Sequence, residues 1–278
     1  MIRKIAFALP PVLIRTLGRL QFTVPLFAPL INYGARKFTE TGEGIIKYGI
    51  GAGLKFDATG GAPGYLLGTT EPEEQEALKR HLKEGGTFYD IGANIGFYST
   101  LAARLVGPKG HVYAFEPFPK SAQIARKNIA INGFTNATVV EAAVSSKPGT
   151  VWLSTEAALS SKAASSGQFK VLQEFTPEGI EVQAITIDEF IEVHQAKPPS
   201  LVMLDVEGAE IDVLHGMMQT IRHHRPIIMC EVHWLGVKFL DFYTEHLSPL
   251  HYSITTLQDE PVPSGLERYH ALMLPQPL

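Results

Sequence analysis

Five acids stand where this chain could do chemistry: Asp90, Glu116, Glu141, Asp205 and Glu231 each close a short apolar run. In a parallel sheet such run ends share one rim, and that rim is where such sheets bind ligands. Asp90 leads into Gly92, Asn94 and Gly96, a turn with glycines spaced G-x-x-x-G. Glycine lets a backbone bend tightly and approach a ligand closely. Glu116, ending the next apolar run, can accept hydrogen bonds from both hydroxyls of a ribose. A dinucleotide fingerprint needs G-x-G-x-x-G around a pyrophosphate. Here the third glycine is missing, and a carboxylate two residues before Gly92 would repel phosphate. The same carboxylate suits a cation, such as the amino-acid end of S-adenosylmethionine.

A second constellation lies further on. Residues i and i+2 of a strand face the same side, so Asp205 and Glu207 project together, as do Glu231 and His233 on what is expected to be the adjacent strand. Three uses stay open for this group. It can bind a substrate hydroxyl, or hold a divalent cation through oxygen ligands. Alternatively it can supply a general base, with His233 the natural candidate near neutral pH. Glu210 and Asp212 read instead as helix-capping acids. The single cysteine, Cys230, lies in an apolar run and reads as a buried strand residue, and one cysteine excludes an internal disulfide.

Alternating strands and helices must position these groups. Glu71 to Glu74 open a helix with an early proline and acids in its first turn. The first core strand begins at Thr87. A helix over 97–105, a strand over 112–116, a helix over 119–131 and a strand over 138–142 follow, which is the alternation of a parallel α/β sheet. It breaks between about 145 and 186. Strands at 151–153 and 182–185 flank the Ser/Ala-rich stretch 154–168, expected as either a lid or a solvent linker. Strand 201–205, a helix from near Ala209 through Met217 and Met218, and strand 226–232 resume the pattern. Residues 251–257 and 269–274 are the expected closing strands.

The chain has 278 residues, 45% hydrophobic and 19% charged, with a net charge of -4. That fits a globular domain with additions and gives no footprint for nucleic acid. Charge is uneven: residues 1–40 carry six Lys or Arg against Glu40 alone. This stretch is also apolar, but Pro10, Pro11, Pro25 and Pro29 interrupt it below the ~20 apolar residues of a membrane span. A helix from Pro11 would segregate Val12, Leu13, Leu17 and Leu20 from Arg15 and Arg19. It either docks on the domain or rests on an anionic membrane surface. The expected division is a basic apolar extension and cap over 1–70 and the ligand-binding domain over 71–278. The expected location is cytoplasmic or peripheral to a membrane, and the oligomeric state is open.

Taken together, the segments from Asp90 to Gly96, Phe115-Glu116-Pro117, Asn128 to Gly133, Leu204 to Glu210 and Glu231-Val232-His233 resemble the FkbM-type S-adenosylmethionine-dependent methyltransferases. The likeness covers about residues 65–235. It implies a Rossmann-like class I methyltransferase fold with a mostly parallel seven-stranded sheet. It also implies S-adenosylmethionine as cofactor and O-methylation of a hydroxyl on a sugar, lipid or natural-product acceptor. Carried over by position, Asp90, Gly92, Asn94 and Gly96 line the methionine end, Glu116 holds the ribose, Glu141 and Ala142 sit beside the adenine, and Asp205 and Glu207 face the methyl. A divalent cation has no dedicated ligand motif. The rival readings are a membrane-peripheral binding module without catalysis and a nicotinamide-dependent oxidoreductase.

Overall fold

The computed structural model describes residues 42–59, 61, 64–154, 171–172, 179–263 and 265–277. The basic stretch 1–37, with its expected helix, and all of the Ser/Ala-rich stretch except Ser154 lie outside the described residues. The elements in chain order are β1 (Glu43–Ile45), β2 (Lys55–Asp57), α1 (Gly64–Leu67), α2 (Pro72–His81), β3 (Thr87–Ile91), α3 (Phe97–Val106), β4 (His111–Phe115), α4 (Pro119–Ala130) and β5 (Ala137–Val140). They continue with β6 (Ala143–Val144), β7 (Gly149–Leu153), β8 (Val171–Leu172), β9 (Ile180–Ile185), α5 (Ile187–His194), β10 (Leu201–Leu204), α6 (Glu210–His215) and α7 (Met218–His224). The last are β11 (Ile227–His233), α8 (Val237–Phe242), β12 (Tyr252–Thr255) and β13 (Arg268–Pro275). Among the described residues no helix is long and apolar enough to cross a membrane.

Seven strands form the main sheet in the order β12-β13-β11-β10-β3-β4-β5. The five from β11 to β5 run parallel, and β13 pairs antiparallel with both β11 and the edge strand β12. This is the mostly parallel seven-stranded sheet expected from the sequence. The break in the alternation is a second sheet, β6-β9-β7-β8.

Side chains alternate across the main sheet with a period of two. Phe88, Val112, Leu201, Met203, Met229 and Leu272 pack under α2 and α3. Tyr89, Val202, Leu204, Ile228 and Cys230 pack under α5 to α8. The same alternation, carried one residue past β10 for Asp205, places Asp90, Asp205, Glu231 and His233 on the α2/α3 side. Ile46, Leu54, Phe56 and Leu66 join the same core as Leu78 and Leu101. Among the described residues strand β2 has no sheet neighbour beyond β1, and α4 with the turn that follows it supplies partners from side chains. Asn128 Oδ1 accepts the Asp57 N–H, and Asn132 Oδ1 accepts that of Lys55.

One expected helix is two. The run from Ala209 breaks between α6 and α7, where Gly216 passes so close to Ser145 that a Cβ would lie 2.0 Å from its carbonyl oxygen.

Candidate active site

The carboxyl ends of β3, β4 and β10 enclose a cleft of about 630 Å³, open solvent included. Gly92 and Asn94 form its back, Phe115, Val144 and Leu153 an apolar wall, and Glu116, Asp205 and Glu207 its acids. Ala142 lines the cleft as expected.

The β3 turn is built by backbone bonds. Gly92 and Ala93 both donate to the Phe115 carbonyl at 3.0 Å, and Gly96 donates to Ala93. Asn94, with φ 49°, donates its N–H to Glu116 Oε2 at 2.7 Å, while Phe118 N–H reaches Glu116 Oε1 at 2.8 Å. These four turn amides are engaged within the protein, so they leave no cradle for a pyrophosphate. Gly92 has φ +87°, and a Cβ there would lie 1.8 Å from the Asp205 carbonyl oxygen. Burial pushes the Glu116 carboxyl up to about 7, against the lowering pull of its two backbone donors.

Three residues expected at the cofactor take other places. Asp90 is buried behind the turn, where Ser99 Oγ donates to it, and burial raises it to about 6. Gly96 starts α3 with φ +77°, and its missing Cβ lets α4 approach, since a Cβ would fall 2.9 Å from that of Ala125. Glu141 points to solvent and pairs with Arg126 at 2.8 Å, outside the cleft. Its strand position alternates away from the ligand side, so the apolar Ala142 takes the wall.

Asp205, Glu207, Glu231 and His233 do come together, because β10 and β11 are neighbours. His233 is fully buried, and its Nδ1 bonds Glu210 Oε1 at 2.8 Å. Its Nε2 faces Glu231 at 3.4 Å, Glu207 at 3.7 Å and Asp205 at 3.8 Å. Burial alone would lower this imidazole, but the bonds with Glu210 and Glu231 carry it up to about 10. At neutral pH His233 is therefore an imidazolium set among the acid groups of Asp205, Glu207, Glu210 and Glu231. This corrects its expected role as general base. Burial, then the charge of Glu231, raises Asp205 well above the ordinary carboxylate range.

The sequence reading missed the outer partners. Arg268 Nε donates to Glu231 Oε1 at 2.7 Å, and His270 bridges Glu231 and the buried Glu74 of α2. His270 rises to about 10 on its bonds to Glu231 and Glu74, although burial opposes this. Glu231, which burial would raise, is held below its usual range by His233, His270 and Arg268. Glu210 is a buried partner of His233 as well as an acceptor for the Gly208 N–H. One available signal was the i, i+2 pair Arg268 and His270 on the closing strand, in register with His233 and Glu231.

Asp205, Glu231 and His233 bring ligand atoms within 4.8 Å of one another, as do Glu74, Glu231 and His270. The donor chemistry does not suit a divalent ion in this arrangement. Arg268 already donates to Glu231 Oε1, and His270 stands at its other oxygen, so two cationic side chains crowd the carboxylate that both groups share.

A family model described as "Methyltransferase FkbM domain" matches residues 90–252, more than half of the chain. Hexuronic acid methyltransferase AglP of Haloferax volcanii is 28% identical over 165 residues, covering 58% of this chain and 62% of its own. A protein-L-isoaspartate O-methyltransferase of Ignicoccus hospitalis is 37% identical over 59 residues, 21% of this chain and 28% of its own. The chain thus spans less than two thirds of either curated relative. The crystal structure of methyltransferase FkbM from Methylobacillus flagellatus is 18% identical, covers 68% of this chain and 43% of that one, and superposes with a TM-score of 0.47.

Proposed function

The chain belongs to the FkbM methyltransferase family, whose methyl donor is S-adenosylmethionine, and on that premise we propose that it methylates a hydroxyl oxygen of a sugar or sugar-like acceptor. The observation that carries this reading is a single cleft with Glu116 at one end and Asp205 at the other.

The residues present fit the cofactor. Each Glu116 oxygen accepts one N–H and keeps a lone pair for a ribose hydroxyl. Phe115, Val144 and Leu153 offer a flat apolar wall for a base, and the acids opposite favour a positive group. When bound, the cofactor supplies a methyl carbon on a sulfonium, so the acceptor oxygen forms the new C–O bond while the C–S electron pair stays with sulfur.

The protein's part is to align the acceptor oxygen with the methyl carbon, exclude water and receive one proton. Asp205 receives it. As a carboxylate lining the cleft it takes the hydroxyl's proton while the bond forms, a contribution of about 10²–10⁴-fold in rate. His233 holds Asp205 and Glu207 in place and offsets their mutual repulsion. The likeness to a hexuronic acid methyltransferase supports a sugar as acceptor.

Transfer of radiolabelled methyl from S-adenosylmethionine to a panel of glycosides, lipids and polyketides, with and without Mg²⁺, tests the reading. Label recovered as a methyl ether on a glycoside is the expected result. Label on nitrogen or carbon, or none at all from protein that binds the cofactor, would overturn it.

A further inference from the structure

Glu210 reads from the sequence as a helix-capping acid, yet in the fold its bonds lead away from its own helix. Its Oε1 accepts twice, from the Gly208 N–H at 3.1 Å and from His233 Nδ1 at 2.8 Å. The side chain is fully buried, and Oε2 has no hydrogen-bond partner among the described residues. A buried acid with an idle oxygen costs stability. Packing alone therefore does not account for it.

What the two bonds hold does account for it. Glu207 and Gly208 are both left-handed, with φ 52° and +103°. For Glu207 that backbone is strained, and such strain persists where the surroundings impose it. The bond from Gly208 to Glu210 closes this turn under Glu207, which lines the cleft beside Asp205. The second bond fixes a ring: an imidazole held at Nδ1 presents Nε2 in one direction. Here Nε2 faces Glu207 at 3.7 Å and Asp205 at 3.8 Å. One oxygen thus sets the backbone of one cleft acid and the cation behind both.

His233 meets charge from several elements. Glu210 stands on α6, Glu231 on β11, and Asp205 and Glu207 follow β10. Beyond Glu231 lie Arg268 and His270 of β13, then Glu74 of α2. Burial opposes the charge on His233, and the bond with Glu210 does most to keep it.

We propose that Glu210 is a positioning residue for methyl transfer, fixing the Glu207 turn and the His233 ring and, through them, the two acids that meet the acceptor. This rests on the methyltransferase reading.

The test compares methyl transfer from S-adenosylmethionine to a panel of methyl glycosides by wild type, Glu210→Gln, Glu210→Asp and Glu210→Ala. Alongside it, histidine-labelled proteins saturated with S-adenosylhomocysteine are titrated by NMR, with the His233 signal assigned by its loss in His233→Gln. Glu210→Gln keeps an oxygen within reach of both donors but weakens the bond to the imidazolium. It should retain kcat within about fivefold near pH 7. Its His233 signal, at about 10 in wild type, should titrate about one pH unit lower or more and carry the alkaline limb of kcat down with it. Glu210→Asp withdraws the oxygen by one methylene, and Glu210→Ala removes it. Either should lower kcat by about 10- to 100-fold, with S-adenosylhomocysteine affinity held within about threefold. Glu210→Asp carries the test if Glu210→Ala does not fold. Wild-type kcat in folded Glu210→Asp or Glu210→Ala, or an unmoved His233 signal in Glu210→Gln, would overturn the positioning role. Failure of wild type to bind S-adenosylhomocysteine or to label any glycoside would instead overturn the reading beneath it. The His233 titration needs no acceptor, so it still decides whether Glu210 holds the ring.

Discussion

The two ends of the cleft are made differently. At the β3–β4 end, Glu116 is positioned by backbone donors from residues 94 and 118, all within one strand–turn–helix–strand unit. At the β10–β11 end, Asp205 and Glu207 are positioned by side chains that reach in from α2, α6, β11 and β13. On the proposed reading the first end is a local device for a constant group. The second is a long-range ionic network that can be retuned one side chain at a time, which suits an acceptor that differs between relatives.

Gly92 is where the ends meet, so changing it should break both. Gly92→Ala puts a Cβ against the Asp205 carbonyl and forces alanine to φ +87°. A loss of roughly 2–5 kcal/mol is expected from overpacking and left-handed strain together, read as a lowered urea midpoint. A midpoint unchanged from wild type would mean that the two ends are not packed as described.

Asp205→Asn should affect only the acceptor end. With any glycoside that turns over, kcat should fall by about 10²–10⁴-fold. Full activity in this variant would remove Asp205 from the proton's path.

Acidity should act on the other end. Glu116 is pushed up to about 7, and its ionised form is the better acceptor for ribose hydroxyls. Cofactor affinity should therefore be constant above that pH and fall as pH drops below it, by up to roughly tenfold per pH unit. Affinity flat from pH 8 to 5 would place the ribose elsewhere.

The ionic network should also register in stability. His233 and His270 both stand at about 10, above an unfolded value near 6.5. Their contribution is complete below about 6.5 and is lost as pH rises through about 10. The Tm should fall across that window, and less steeply in His270→Gln. The smallest effect belongs to Glu141→Ala, which removes an exposed pair with Arg126 worth about 0–1 kcal/mol. It should leave cofactor affinity within twofold, where a tenfold loss would return Glu141 to the cleft.

What the residues disclosed follows the same division. The strand–helix alternation, the glycine turn and Glu116 at a strand end were legible because they depend on period-two alternation and on contacts within a short span. Asp90, Gly96 and Glu141 were placed too generously, since spacing alone cannot tell a residue that touches a ligand from one that lets a helix approach or faces solvent. His233 was found, but its state was not. Its protonation is set by Glu210 and Glu231, and those partners follow from how β11 sits over α6 and against β13. Glu74, Arg268 and His270 escaped because they lie far from the motifs in sequence and meet Glu231 only in the folded sheet.

The claim that one end holds the cofactor and the other performs the transfer is tested most directly by calorimetric titration of S-adenosylmethionine into wild-type, Glu116→Ala and Asp205→Asn proteins. The account predicts that Asp205→Asn binds within about threefold of wild type and that Glu116→Ala loses on the order of tenfold or more. Normal binding by Glu116→Ala together with lost binding by Asp205→Asn would contradict it.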